Sequence, residues 1–320
     1  MSNIVYFDRE KWTTLSTLVI EWETLRIVNE TTVHIPIMPH EITELLRLQA
    51  GSTVVDGTFG GGGHSTVFAS CVGPTGKVIG LDRDPLAVEK GRERFQDSLT
   101  LVCANYADLP EVLEELQIPA VDAILLDIGL SSDQLADESR GFSYLATGPL
   151  DLRFNPDVGI PAWKLLELLN EKKLADLIYE FGEERFSRSI ARRICEQRKT
   201  SPIRTAADLA DLLRRCVPRS KNHSIHPATR TFQALRIAVN DELKWLTVAL
   251  RRLPDCLRPG GRLAVMSFHS LEDRIVKHAF LGDERLTVIT KKPVQPSDDE
   301  IAINPRSRSA KLRVAEKKSV

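Results

Sequence analysis

Two hydrophobic rhythms alternate along this chain. Short runs in which nearly every position is apolar read as buried strands, at 52–56, 77–82, 99–103, 122–127, 262–268, 286–291 and 311–316. Most are separated by stretches with apolar residues three to four apart, such as 85–95, which carries proline in its first turn. Seven strands alternating with helices predict a doubly wound α/β sheet. One connection breaks the rhythm. About 135 residues separate Asp127 from Arg262, whereas a crossover needs only a few tens.

That long connection reads as an inserted helical domain. Apolar residues recur at helical spacing over 162–173, 174–181, 184–199 and 205–216, with Ile190, Ala191, Ile194, Leu209, Leu212 and Leu213 as the simplest core. From Thr231 one long helix is expected, with Leu235, Val239, Leu243, Leu246, Leu250 and Leu253 on one face. It returns the chain to the sheet through the turn Leu257-Arg-Pro-Gly-Gly261. The predicted organisation is an N-terminal extension of unassigned role at 1–33, a sheet domain from 34–140 and 228–320, and an inserted substrate-recognition domain at 141–227.

The candidate chemistry sits where strands end. Ser52-Thr-Val-Val-Asp-Gly-Thr-Phe-Gly-Gly-Gly-Gly-His-Ser65 runs from strand to glycine loop to helix, the arrangement that cradles a nucleotide-like ligand at a sheet edge. Lys77-Val-Ile-Gly-Leu-Asp82 is a second strand ending in a carboxylate, about 26 residues after Asp56 and near the spacing for a ribose-binding acid. The loop lacks the lysine of an NTPase loop, and its glycines miss the G-x-G-x-x-G dinucleotide pattern. S-adenosylmethionine fits better than NAD: it offers an adenosine for Asp82 and a carboxylate in place of a pyrophosphate.

Other strand ends add candidates. Tyr106, just past the third strand, could belong to the core but is well placed to stack on adenine. Asp127 closes Asp122-Ala-Ile-Leu-Leu-Asp127 and opens the turn Ile128-Gly-Leu-Ser-Ser132, which puts a carboxylate between cofactor and substrate. Asp56 divides evenly between bonding the loop's N–H groups and touching the cofactor. His64 either stabilises the loop or contacts the cofactor. Ser270 and Asp273 read as an S-x-x-D capping box within Ser267-Phe-His-Ser-Leu-Glu-Asp-Arg274. Neither the D-P-P-Y motif of amino methyltransferases nor a Pro-Cys nucleophile is present.

Composition narrows the class. With 42% apolar and 27% charged residues the chain is an ordinary globular protein, without a membrane-length apolar run or a convincing signal peptide, so the cytoplasm is the default compartment. The five cysteines form no C-x-x-C, so neither a disulfide framework nor a zinc site is indicated, and no metal is expected. A net charge of −1 conceals a basic stretch: thirteen Arg or Lys against three acids between 185 and 236. That imbalance favours a polyanion partner over a merely solvated surface. Outward-facing Arg192, Arg198 and Arg219 are the candidate RNA-binding residues. The tail from 304 to 320 adds six basic residues and one acid.

Several long motifs in order resemble the bacterial small-subunit ribosomal RNA cytosine-N4-methyltransferases. They are Asp56-Gly-Thr-Phe-Gly-Gly-Gly-Gly-His-Ser65, Leu81-Asp-Arg-Asp-Pro85, Leu126-Asp-Ile-Gly-Leu-Ser-Ser132, Arg140-Gly-Phe-Ser143, Gly148-Pro-Leu-Asp-Leu-Arg153 and Gly182-Glu-Glu-Arg-Phe186. His226-Pro-Ala-Thr-Arg-Thr-Phe-Gln-Ala-Leu-Arg236, the Ser267 to Arg274 run and Asn304-Pro-Arg-Ser-Arg-Ser309 complete the set. The resemblance implies a methyltransferase sheet with the helical insert after the fourth strand. It implies that Gly62, Gly63, His64, Asp82, Tyr106, Asp127 and Gln134 contact S-adenosylmethionine, with Tyr106 where many relatives carry phenylalanine. The implied reaction is methyl transfer to N4 of one cytidine in the decoding region of 16S rRNA, free or within the small ribosomal subunit. Asp127 and His269 are the expected catalytic residues. A non-enzymatic RNA-binding assembly factor is the alternative that the basic insert allows. The segment 1–33 departs from the family pattern.

Overall fold

Strands β1 (Thr53–Asp56), β2 (Lys77–Asp82), β3 (Thr100–Cys103), β4 (Val121–Asp127), β5 (Leu257–Ser267), β6 (Leu286–Val288) and β7 (Lys311–Lys317) form one sheet in the order β3-β2-β1-β4-β5-β7-β6. The computed structural model describes residues 35–217 and 226–319; the expected extension at 1–33 and Arg219 lie outside the described residues. Strands β1 to β5 pair in parallel, and β7 runs antiparallel between β5 and β6. The chain winds outward from β1 in both directions, so the sheet's switch point lies between β1 and β4. Ligands of such sheets bind in that crevice, beyond the carboxyl ends of the strands.

Helix α1 (Pro39–Leu46) precedes β1; α2 (Gly63–Val72), α3 (Pro85–Phe95) and α4 (Leu109–Glu115) fill the first three crossovers, and α5 (Ser132–Ala136) follows β4. Then come α6 (Ala162–Leu168), α7 (Glu171–Gly182), α8 (Ser187–Gln197), α9 (Ala206–Cys216), α10 (Thr229–Asn240) and α11 (Glu242–Cys256), before α12 (Ser270–Gly282) and α13 (Asp298–Ile303). Successive side chains of β4 point to opposite faces. Ala123 and Leu125 therefore pack with Ile42 of α1 and Phe68 of α2, whereas Ile124 and Leu126 pack with Leu113 of α4 and Leu250 of α11. Covering both faces is what makes the central strands read as continuous apolar runs.

A third apolar cluster belongs to the long connection and runs from Phe142 to Leu235. It contains Ala228, Phe232 and Leu235, which lie beyond the expected boundary at 227. The six residues expected to form its core, Ile190 to Leu213, are all buried in it.

Two expectations about helices need correction. The single long helix from Thr231 is two helices, broken at Asp241, whose left-handed φ of 53° ends α10 and begins α11. Buried Asn240 secures the break: its Nδ2 donates to Leu152 O at 2.7 Å, and its Oδ1 accepts from Phe154 N at 2.8 Å. The run 162–173 likewise ends early, because Asn170 caps α7 by accepting from Lys173 N at 2.9 Å.

Candidate active site at the sheet's switch point

The loop after β1 is held from beneath. Asp56, 1% exposed, accepts from Ser65 Oγ at 2.7 Å and Thr58 N at 3.3 Å, and its burial pushes the carboxyl upward. Its carboxylate is thus engaged with the loop, the first of the two roles its position allowed. Thr58 in turn accepts from Asp127 N at 2.7 Å through its hydroxyl, tying the ends of β1 and β4 together. Gly62 turns into α2 at φ 73°, where a Cβ would lie 2.7 Å from the Phe95 ring and 2.9 Å from the Phe59 ring.

Asp82 closes the other side of the crevice. Its Oδ2 accepts from Gly60 N at 2.7 Å and its Oδ1 from Asp84 N at 2.8 Å. Burial pushes its carboxyl up to about 6, against the lowering effect of those two donors. A carboxylate has about four acceptor positions. Roughly two therefore remain for outside donors, as a ribose diol requires.

Beyond these loops lies a cavity of about 420 Å³, within the range of ~300–1,000 Å³ typical of small-molecule sites. Asp82, Tyr106, Asp127 and Gln134 line it, together with Gly57 and Gly60. Burial raises the Tyr106 hydroxyl's pKa, so the ring is a neutral aromatic wall. Gln134 serves a capping box with Ser131 and also donates to Asp84 Oδ2 at 3.5 Å. Gly62, Gly63 and His64 are not among the cavity-lining residues; of the loop after β1, Gly57 and Gly60 are the glycines that line it. His64 is buried beneath, with Nε2 3.5 Å from Asp127 Oδ2 and no hydrogen bond to either ring nitrogen. The residues fit S-adenosylmethionine: spare acceptors on Asp82, an aromatic wall, and an orphaned imidazole next to Asp127 at the glycine loop.

The turn after β5 forms the facing wall. Phe268 lines the cavity and packs on Gly129, where a Cβ would come within 2.6 Å of its ring. The capping box here is His269–Glu272, one residue earlier than the Ser270–Asp273 pair expected. Glu272 Oε2 accepts from Phe268 N at 2.8 Å and His269 N at 3.2 Å, while His269 Nδ1 accepts from Glu272 N at 3.4 Å. His269 Nε2 is 2.9 Å from Glu272 Oε1 but off the line of a ring N–H bond. His269, the second catalytic residue expected, is outside the cavity lining, and its described contacts are those of the capping box. Ser270 donates instead to Glu183, and Asp273 pairs with Arg313 at 2.6 Å.

Sequence reasoning quoted several motifs here without assigning their side chains. Arg236 of α10 binds Glu242 of α11 through two 2.9 Å contacts and approaches Glu272 at 4.0 Å. All three line the cavity, and burial pushes the Glu242 carboxyl upward. Arg306 also lines it. Arg236, Glu272 and Arg306 lie inside the motifs ending at Arg236, Arg274 and Ser309, which is the signal that could have found them; Glu242 lies outside every motif.

The chain matches the MraW methylase family over residues 31–318. It belongs to that family. Curated relatives agree: the chain is 50% identical over 298 residues to the ribosomal RNA small subunit methyltransferase H of Rhodopirellula baltica, covering 89% of this chain and 92% of that protein. It is 49% identical over 288 residues to the protein of the same name from Deinococcus deserti, covering 90% and 94%. Among solved structures it is similar to a putative rRNA-methylase from Clostridium thermocellum, at 15% identity and TM-score 0.42 over 87% of this chain and 94% of that one. As a member of the MraW methylase family the chain is a methyltransferase, and the cavity at the switch point is the candidate site for its methyl donor.

The basic insert is only partly outward-facing. On α8, Ile190, Ala191, Ile194 and Cys195 face inward, leaving Arg188, Arg192 and Arg193 exposed. Arg192 lies 3.7 Å from Glu171 on the surface. Arg198 departs from the expectation. It is half-buried, and its Nη1 donates to Leu166 O and Leu169 O, so it caps the carboxyl end of α6 instead of facing solvent. No group of three or more His, Cys, Asp or Glu among the described residues could hold a metal ion. No described helix is long and apolar enough to cross a membrane.

Proposed function

We propose that this chain methylates the exocyclic N4 of one cytidine in the decoding region of 16S rRNA, within the small ribosomal subunit. One observation carries the reading: Asp127 stands on the wall of the cavity that Asp82 and Tyr106 also line. The position suits a substrate amine brought to the sheet's switch point. The substrate itself comes from the relatives' name, which specifies small-subunit ribosomal RNA. A ribosomal target places the work in the cytoplasm.

S-adenosylmethionine, when bound, supplies an electrophilic methyl group on a positively charged sulfur. Asp82 would take its ribose hydroxyls and Tyr106 its adenine, with Gln134 and the glycine loop closing around the remainder. A cytosine N4 amine is a weak nucleophile because its lone pair is conjugated with the ring. Asp127 would accept a hydrogen bond from that amine, favouring a pyramidal nitrogen and stabilising the positive charge that develops on it as the N–C bond forms and the methyl–sulfur bond breaks. Glu272 fixes the Phe268–His269 turn so that Phe268 packs against the base and excludes water. The base must leave its stack to arrive there. Exposed Arg188, Arg192 and Arg193 of the insert supply attraction for the RNA backbone.

Incubation with methyl-labelled S-adenosylmethionine and unmodified small subunits, followed by nucleoside analysis, tests this reading. Label in N4-methylcytidine is the expected result; label on adenine or on cytosine C5 overturns it. A scaffold that merely binds RNA is not favoured, since the ribose-binding carboxylate and its cavity are intact.

A further inference from the structure

The motif Asn304-Pro-Arg-Ser-Arg-Ser309 has no part in the reading above, yet it reaches the cavity. Pro305–Ser309 forms a short 3-10 turn just before β7. The turn is anchored at Ser307, which is fully buried and donates through Oγ to Asn304 O at 2.8 Å, while Ala310 N donates back to Ser307 O at 2.8 Å. That anchorage leaves Arg306 exposed and directs it at the cavity wall, where its Nη1 donates to Ser132 Oγ at 2.7 Å. Ser132 begins α5, five residues after Asp127.

Three arginines line the cavity, and their partners differ. Arg236 is matched by Glu242. Arg83 is half-buried next to Asp82, with Nη1 on Asn240 O at 3.0 Å and its guanidinium over the Phe154 ring. Arg306 alone of the three is exposed, and it forms no ion pair with a carboxylate among the described residues. One Nη is held by Ser132, which fixes the guanidinium while Nε and the second Nη keep their N–H groups for another acceptor. A planar fork so placed suits a phosphate.

We propose that Arg306 grips the backbone phosphate adjoining the target nucleotide, an inference that rests on the RNA methylation proposed above. A base inserted toward Asp127 is one sugar away from its own phosphates, which must therefore remain at the cavity rim. Arg306 is the exposed cation of the lining, with no carboxylate partner among the described residues, and is bound to the segment that follows Asp127. It aligns the nucleotide rather than taking part in the bond change.

The test compares wild type, Arg306→Ala and Arg306→Lys in the full chain, using unmodified small subunits and, separately, S-adenosylhomocysteine. Arg306→Ala should raise the KM for subunits about ten-fold, as expected for loss of a charged hydrogen bond. It should also flatten the log–log salt dependence of subunit binding by about 0.7–0.9. Arg306→Lys keeps the charge but not the fork, so it should restore the slope and only part of the KM. Calorimetric affinity for S-adenosylhomocysteine should stay within about two-fold of wild type in both variants, which also reports that they are folded. If either variant loses S-adenosylhomocysteine affinity while its KM for subunits is unchanged, the anion is the methionine carboxylate and the proposal falls. Unchanged values throughout would show Arg306 to be solvated surface charge, and the proposal falls equally. Wild type that transfers no methyl group to subunits overturns the functional reading itself; wild-type activity with an indifferent Arg306→Ala overturns only this inference.

Discussion

Arg140 Nη1 donates to Asp84 Oδ2 at 3.0 Å, with the two side chains only 8% and 4% exposed. Asp84 also caps α3 through Leu86 N, and its own N–H holds Asp82 Oδ1. On its other side Arg140 donates to Arg153 O and Phe154 O. Asp82 is therefore positioned by a buried ion pair that reaches into the long connection after β4.

Removing Arg140 leaves Asp84 as a buried, uncompensated charge. Arg140→Ala should cost about 3–5 kcal/mol of stability and weaken S-adenosylhomocysteine binding as the Asp82 loop relaxes. Denaturant unfolding and calorimetry check this. A loss below about 1 kcal/mol, in the range of an exposed pair, would show that the pair does not organise the loop.

Asp82 predicts a pH dependence of co-substrate binding. Its carboxyl is raised to about 6, and hydroxyl donors need the ionised form. Binding should be at full strength well above pH 6 and weaken as pH falls through it, by about ten-fold at pH 5 relative to pH 7.5. Asp82→Asn should bind roughly 1–3 kcal/mol more weakly at neutral pH and lose this dependence. Parallel pH profiles for the two proteins would assign the titration to another group.

Neighbouring arginines of the insert should separate into two kinds. Replacing Arg188, Arg192 and Arg193 together with Gln should flatten the salt dependence of RNA binding by up to roughly 0.7–0.9 per lost phosphate contact. S-adenosylhomocysteine affinity should be unaffected. Arg198→Ala should instead cost roughly 1–3 kcal/mol of stability, because two carbonyls at the end of α6 lose their donor. The salt slope should not change. A slope change from Arg198→Ala alone, at constant stability, would reverse the assignment.

Legibility in the sequence followed the range of the interactions. Strands β1, β2 and β4 were plain because both faces are covered, giving the runs Val54-Val55, Val78 to Leu81 and Ala123 to Leu126, each stopped by aspartate. The break at Asp241 was hidden, since the apolar repeat continues through it and its anchors, Leu152 and Phe154, are 88 and 86 residues from Asn240. Arg198 looked like surface because its acceptors lie 29 and 32 residues back on another helix. Arg306 was visible as part of a motif, but its reach to Ser132 spans 174 residues. The capping box at α12 was misplaced by one residue because a histidine, not the usual serine, provides the cap.

The account rests most on Asp127 as the group that meets the substrate amine. Single-turnover methyl transfer to unmodified small subunits, with both substrates saturating, measures that contribution directly. Asp127→Ala should slow it by about 10²-fold or more, in the range of losing one preorganised transition-state partner, while subunit affinity changes little. A wild-type rate in Asp127→Ala, or a defect confined to subunit binding, would contradict the placement of the reaction at this carboxylate.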